Sequence, residues 1–141
     1  MKTRNAKAVW RGNIEEGDGM VSVESGALES EYSAAGRFEE AEGTNPEELI
    51  GAAHAGCFSM ALSLMLGEAG YTPDSIETTA AVQIHQVDGH FEIPKITLDC
   101  TATIEGIGED EFLAIAQKAK EGCPVSGALQ GPEISLNARL A

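Results

Sequence analysis

Positive charge is scarce in this sequence. Lys and Arg number 9 against 23 Asp and Glu, a formal net charge of -14 over 141 residues. That balance argues against a nucleic-acid binder, because nothing here neutralises a run of phosphates. It also disfavours docking on an anionic membrane surface. Cysteine is scarce too. Its three copies, Cys57, Cys100 and Cys123, are too few and too widely spaced for a disulfide-stapled scaffold. A reducing cytoplasm suits such a chain, and there a cysteine pair is more often catalytic or metal-binding. No apolar segment follows the cations of "MKTRNAKAVW", so no secretory signal is expected. Internal repeats, low-complexity tracts and linkers are missing. The length suits one domain, residues 1–141, with a core of its own.

The patterning that is present points to an α+β chain. "AKAVWRG" and "GMVSVESG" alternate like half-buried strands on either side of the turn-rich "EEGDG", and "ALESEYS" reads as a third strand. "AAGRFEEAEG" reads as a loop that sets Arg37 among acidic residues. A helix is expected from Pro46 to about Ala69. Two long alternating runs follow, "SIETTAAVQIHQV" and "HFEIPKITLDCTATIEG", joined by the hairpin signal Asp88-Gly89. Pro94 marks a bulge or an edge position in the second run. "EDEFLAIAQKAKEG" places Phe112, Ile115, Ala116 and Ala119 at helical spacing and stops at Gly122. "CPVSGALQG" opens a short helix at Pro124, and "EISLNARLA" is a last strand. The order β-β-β-α-β-β-α-β with antiparallel hairpins is α+β.

The long helix is well specified at its start. Asn45 suits the N-cap, Pro46 the first helical position, and Glu48 the third position of a capping box. Glu47 has no such role; read alone, it is a solvated carboxylate favoured by the helix dipole. From Leu49 to Leu66 the helix has no formal charge. His54, Ser59, Ser63 and acidic flanks argue against a membrane span, so a buried central helix is expected. A chain this small cannot cover such a helix on all sides. Gly51, Ala52, Ala55 and Gly56 let another backbone approach, and a two-fold dimer through this helix is the natural solution.

The cysteines differ in setting. Cys100 shares a strand face with Ile96, Leu98, Ala102 and Ile104 and reads as a small buried hydrophobe. Cys123 falls at the N-cap of the short helix, where a thiol has a lowered pKa and some exposure. Cys57 alone is ambiguous, since cysteines in apolar helices are ordinarily inert. Cys57 and Cys123 form a dithiol couple only if the fold brings their Cα atoms within about 7 Å.

Two stretches then carry a resemblance. "GTNPEELIGAAHAGCFSMALSLMLGEAG" and "KAKEGCPVSGAL" resemble the two cysteine motifs of the OsmC/Ohr family of organic hydroperoxide peroxidases. "GRFEEAEG" is similar to the OsmC subgroup in particular, and the likeness extends through "AVWRG" and "GMVSVESG". Gly56 departs from the alanine frequent in the family. The resemblance implies an OsmC-like fold, with antiparallel sheets wrapped around the central helix of an intertwined homodimer. It implies thiol-dependent reduction of organic hydroperoxides to alcohols without metal, flavin or other cofactor, at sites on the subunit interface. Carried over, Cys57 is the peroxidatic cysteine, Cys123 the resolving one, Arg37 the activating arginine and Glu47 the carboxylate that orients it. A dithiol such as protein-bound lipoamide is the implied reductant.

Physical chemistry agrees on the need for Arg37. The attacking species is a thiolate, and an apolar helix raises a thiol pKa. Cys57 lies some three turns into its helix, where the dipole helps little. Arg37 is the only Lys or Arg between Arg11 and Lys95. Ten residues of helix rise about 15 Å, so Glu47 and Cys57 of one chain do not meet directly; Arg37 bridges part of the gap, the helix breaks, or a partner subunit delivers Glu47, and the last is expected. Three other readings of the same residues exist. His54 and Cys57, at i and i+3, offer half a metal site, without the further ligands of a closed zinc set. The same pair is the outline of a cysteine hydrolase dyad that lacks an orienting residue. Finally, the thiols would also serve a non-enzymatic redox sensor or interaction protein.

Overall fold

The computed structural model describes all residues, Met1–Ala141. They form two compact units, Met1–Leu49 and Ile50–Ala141. The first unit holds β1 (Ala6–Arg11), β2 (Asp18–Val23) and β3 (Glu29–Tyr32) in one antiparallel sheet of order β1-β2-β3. The Trp10 and Tyr32 rings meet at 5.4 Å between centroids. After β3 the chain forms α1 (Ala34–Phe38), where the sequence suggested a loop. Ser33 nucleates it, its Oγ accepting the Gly36 N–H at 3.1 Å. A helix of five residues is too short to show an apolar period, so the pattern could not disclose it.

Helix α2 (Pro46–Glu68) begins in the first unit and continues into the second. Asn45 caps it as expected, accepting the Glu48 N–H at 2.8 Å, while its amide donates to the Gly36 carbonyl at 3.0 Å. One side chain thus closes α2 and ties it to α1. The reciprocal half of the capping box does not form. Glu48 instead accepts the Thr44 hydroxyl at 3.1 Å.

In the second unit, β4 (Ser75–Val87) and β5 (His90–Thr103) make the long hairpin. Asp88 (φ 48°) and Gly89 (φ 83°) both lie in the left-handed region, as a two-residue type I′ turn demands. The register shifts between Gln83 and His85, where Ile93 and Pro94 face the single residue Ile84. Pro94, which has no N–H to donate, therefore sits at a bulge. Helices α3 (Glu109–Gly122) and α4 (Pro124–Ala128) lead to β6 (Glu133–Leu140), which pairs with β5 in parallel. The expectation of wholly antiparallel sheets is corrected here. A chain that leaves β5, crosses through helices and rejoins the same strand returns in the same direction, so the second sheet, of order β4-β5-β6, is mixed.

The core of this unit joins Phe58, Leu62 and Leu66 of α2 to Leu98, Cys100 and Ala102 of β5 and Phe112, Ala116 and Ala119 of α3. Each large side chain buried there stabilises the fold by about 1.5–3 kcal/mol. Cys100 is fully buried, the small hydrophobe it was expected to be. At Gly51 an added Cβ would lie 3.3 Å from the Ala80 carbonyl oxygen, so the missing side chain lets α2 approach β4 closely. The opposite face of α2 is apolar but open in the single chain. Met60 is 76% and Leu64 64% exposed, and Ala52, Ala53 and Gly56 are exposed beside them. One chain therefore buries only one side of its central helix.

Candidate active site

The second unit brings two of its three thiols together. Cys57 sits on α2, half-buried, one turn beyond His54. Cys123 is both the C-cap of α3 and the N-cap of α4. Its N–H donates to the Ala119 carbonyl at 2.9 Å and its carbonyl accepts the Gly127 N–H at 3.1 Å, so the corner between the helices is held from both sides. The two sulfurs lie 2.7 Å apart, within hydrogen-bond reach, and both thiols are free. The exposure expected for Cys123 is absent. At 1% it is buried, because the α3–α4 corner packs it among neighbours that include the buried Ala119 and Ser126. Of the pair, only Cys57 is open to a solute.

Their environments push the two thiols apart. Burial raises the pKa of Cys57, and sharing its proton with the Cys123 sulfur raises it further, against a smaller opposing effect of the Val125 N–H. None of the influences on Cys57 is a cation. Burial also raises Cys123, but it is outweighed by the Cys57 thiol, the N–H and hydroxyl of Ser126 and the Val125 N–H, and the net direction is down. These donors act as dipoles near the sulfur, without a formal capping hydrogen bond to it. Cys100 is driven up by burial, opposed in part by the Thr78 hydroxyl. Its thiol is thus sealed and favoured in the protonated form, the setting of a structural cysteine.

The first unit builds a second pair. Arg37 lies in the last turn of α1 and Glu47 in the first turn of α2. Arg37 Nε donates to Glu47 Oε1 and Oε2 at 3.0 and 3.2 Å, and Nη2 donates to Oε1 at 2.7 Å. Glu47 is nearly sealed at 7% exposure, whereas a third of the Arg37 side chain remains open. Nε and Nη2 are engaged by the carboxylate, and Nη1 keeps its N–H groups for another acceptor. The guanidinium also rests on the Phe38 ring, 5.6 Å from its centroid. Beside it opens a cleft of about 130 Å³ walled chiefly by Trp10, Ile14, Tyr32 and Phe38. This arginine of α1, one of few cations in the chain, is thus held next to an apolar hollow.

His54 takes a place that the sequence did not reveal. It is fully buried, and its Nε2 lies 2.8 Å from Ser126 Oγ, while Nδ1 has no partner. Burial lowers its pKa and keeps the ring neutral. The sequence offered it as a metal ligand or as a base for Cys57. Its hydrogen bond goes instead to Ser126 on α4. No spacing in the sequence points to that partner.

An open thiol against a buried one, with an anchored arginine elsewhere in the chain, is the outline of a cysteine-based redox protein. The chain belongs to the OsmC-like protein family, whose pattern matches residues 39–137. It is 55% identical over 138 residues to the peroxiredoxin OsmC of Escherichia coli (strain K12), spanning 97% of this chain and 96% of that protein. An organic hydroperoxide resistance protein-like sequence of Staphylococcus aureus (strain USA300) is 37% identical over 89 residues, 62% of this chain and 63% of that one. Among solved structures, an organic hydroperoxide resistance protein from Elizabethkingia anophelis aligns with a TM-score of 0.75 at 28% identity, covering 100% of this chain and 96% of that one. The organic hydroperoxide resistance protein OhrB of Bacillus subtilis aligns at 0.69 and 26% identity, covering 97% and 98%.

The sulfur geometry sets an outcome for mild oxidation. Diamide should convert the protein to a form lighter by two hydrogens, with peptide mapping joining Cys57 to Cys123 and leaving Cys100 free. Bridges between chains, or a bridge to Cys100, would contradict the preformed pair.

Proposed function

We propose that this chain is a thiol peroxidase that reduces organic hydroperoxides to alcohols at Cys57, with Cys123 as the resolving partner. The observation that carries the reading is the sulfur pair 2.7 Å apart, one member open to solutes and the other sealed. In the first step the Cys57 thiolate attacks the distal peroxide oxygen. The O–O bond breaks, the alkoxide leaves and takes a proton to become the alcohol, and Cys57 is left as sulfenic acid. In the second step Cys123 attacks the Cys57 sulfur, the S–O bond breaks and the oxygen departs as water. A dithiol, such as a protein-bound lipoyl group, reopens the disulfide by exchange. The cytoplasm, which keeps thiols reduced, is the compartment that suits this cycle.

The first step needs a cation that nothing around Cys57 supplies. Arg37 supplies it, and Glu47 fixes the guanidinium so that Nη1 faces the reacting atoms. The donor is Arg37 of the partner subunit, held by Glu47 of the partner subunit, in a homodimer that covers the exposed Met60–Leu64 face of α2. Three features support this: the open apolar face, the small residues along it, and the length of helix between Glu47 and Cys57. The apolar cleft beside Arg37 suits a hydrocarbon tail better than hydrogen peroxide.

With an organic hydroperoxide and a supplied dithiol, Cys57→Ser should abolish turnover. Cys123→Ser should react once and then accumulate sulfenic or over-oxidised Cys57. Sustained turnover by Cys57→Ser would refute the assignment, and a single stoichiometric oxidation of the wild type without turnover would favour a sensor instead. Heterodimers of a Cys57→Ser chain with a Glu47→Ala chain test the sharing of sites. They should regain about half of the wild-type activity, because one of the two sites keeps both residues. Verified heterodimers without recovered activity would show that each chain builds its own site.

A further inference from the structure

The peroxidase cycle makes no use of His54, a fully buried titratable group with one nitrogen unpaired. Its placement is specific. His54 lies one turn before Cys57 on α2, and its Nε2 meets the hydroxyl of Ser126, three residues after Cys123 on α4. Ser126 is itself buried. It stands in the first turn of the helix that Cys123 caps, and its hydroxyl is among the groups that lower the Cys123 thiol. Imidazole and hydroxyl are thus joined on the turn that begins at the Cys123 thiol.

The hydrogen bond has a direction. Suppose Nε2 carries the ring proton. It then donates to Ser126 Oγ, and the serine hydrogen is free to turn toward Cys123. Nδ1 is left as a bare lone pair. In the other tautomer a buried Nδ1–H has nothing to bond to, and the serine spends its hydrogen on Nε2. An orphaned buried donor is the rarer and costlier arrangement, so the first tautomer is favoured. Since burial holds the ring neutral, His54 orients the serine without taking up a proton.

We infer that His54 and Ser126 are positioning residues for the resolving step: the ring locks the serine hydroxyl onto Cys123, favouring its thiolate and speeding its attack on oxidised Cys57. The step balances as Cys57–S–OH plus Cys123 thiolate giving the disulfide and hydroxide, and the proton that Cys123 released on ionising returns to the hydroxide, which leaves as water. A faster closure leaves less time for a second peroxide to carry Cys57 to sulfinic acid. The pair therefore sets how much peroxide the protein survives. The groups acting on the Cys123 sulfur are Cys57 from α2 and Val125 and Ser126 from α4, with His54 behind Ser126, and none carries a fixed charge. The serine hydroxyl is thus not competing with a nearby ion. This inference rests on the assignment of Cys123 as the resolving thiol.

Two measurements test it. In a Cys57→Ser, Cys100→Ala background Cys123 is the sole thiol, and its thiolate absorbance is titrated. Ser126→Ala should move the inflection up by about one pH unit, a tenfold change in ionisation. His54→Leu should move it the same way, and His54→Gln, whose amide can donate in place of Nε2, should restore it. In the protein with all three cysteines, rapid mixing with an organic hydroperoxide should show sulfenic acid forming at the wild-type rate in Ser126→Ala. Disulfide closure should be about tenfold slower and the sulfinic product more abundant at high peroxide. An unchanged titration in both Ser126→Ala and His54→Leu would overturn the inference. So would equal slowing of both chemical steps, the mark of a general packing defect. If His54→Leu does not fold, Ser126→Ala and His54→Gln carry the test. The titration uses no peroxide, so its result stands apart from that of the peroxidase reading.

Discussion

A thiol half-sunk in an apolar helix resists ionisation, and the rest of the site answers to that constraint. Burial and the neighbouring Cys123 both push Cys57 up. A chain of net charge -14 makes this worse, since its average field favours the protonated thiol. In the proposed site the remedy is one well-aimed cation. Arg37 is gripped by a sealed carboxylate and seated on an aromatic ring, with one amino group left unspent. A mobile lysine would offer the same charge without the fixed fork. In the proposed site Glu47 serves to fix the guanidinium, since an ion pair whose arginine is a third open adds little stability by itself.

Helix α2 serves several ends at once. One face anchors the core through Phe58, Leu62 and Leu66. Its first turn carries Glu47, its middle carries His54 and Cys57, and its outer face presents Met60 and Leu64 to solvent. In the proposed homodimer that outer face becomes interior, which accounts for a helix with no polar stripe. The same helix has the length and apolarity of a membrane span. His54 facing inward to Ser126, and a core built on one side only, give it a different employment.

Much of this was legible in the sequence, wherever a local rule decides the outcome. The Asn45 cap, the Asp88-Gly89 turn, the bulge at Pro94 and the strand-buried Cys100 each follow from one residue's own chemistry. The pairing of Arg37 with Glu47 and of Cys57 with Cys123 was legible only through resemblance, since sequence spacing says nothing about which loops meet. What escaped was of two kinds. Helix α1 is too short for periodicity, and its capping serine looks like any loop serine. The parallel return of β6, the burial of Cys123 and the His54–Ser126 contact depend on how the α3–α4 corner folds back, a tertiary fact with no one-dimensional trace.

The central claim is that Arg37 makes Cys57 a thiolate. Its most direct test is the pH profile of the single-turnover rate of Cys57 oxidation, compared between the wild type and Arg37→Ala. Because attack needs the thiolate, the rate rises with pH through the pKa of Cys57. Removing the cation should move that rise to higher pH and lower the neutral-pH rate by about two orders of magnitude or more, while the fold survives. A profile whose inflection coincides with that of the wild type would contradict the account and take Arg37 out of the site.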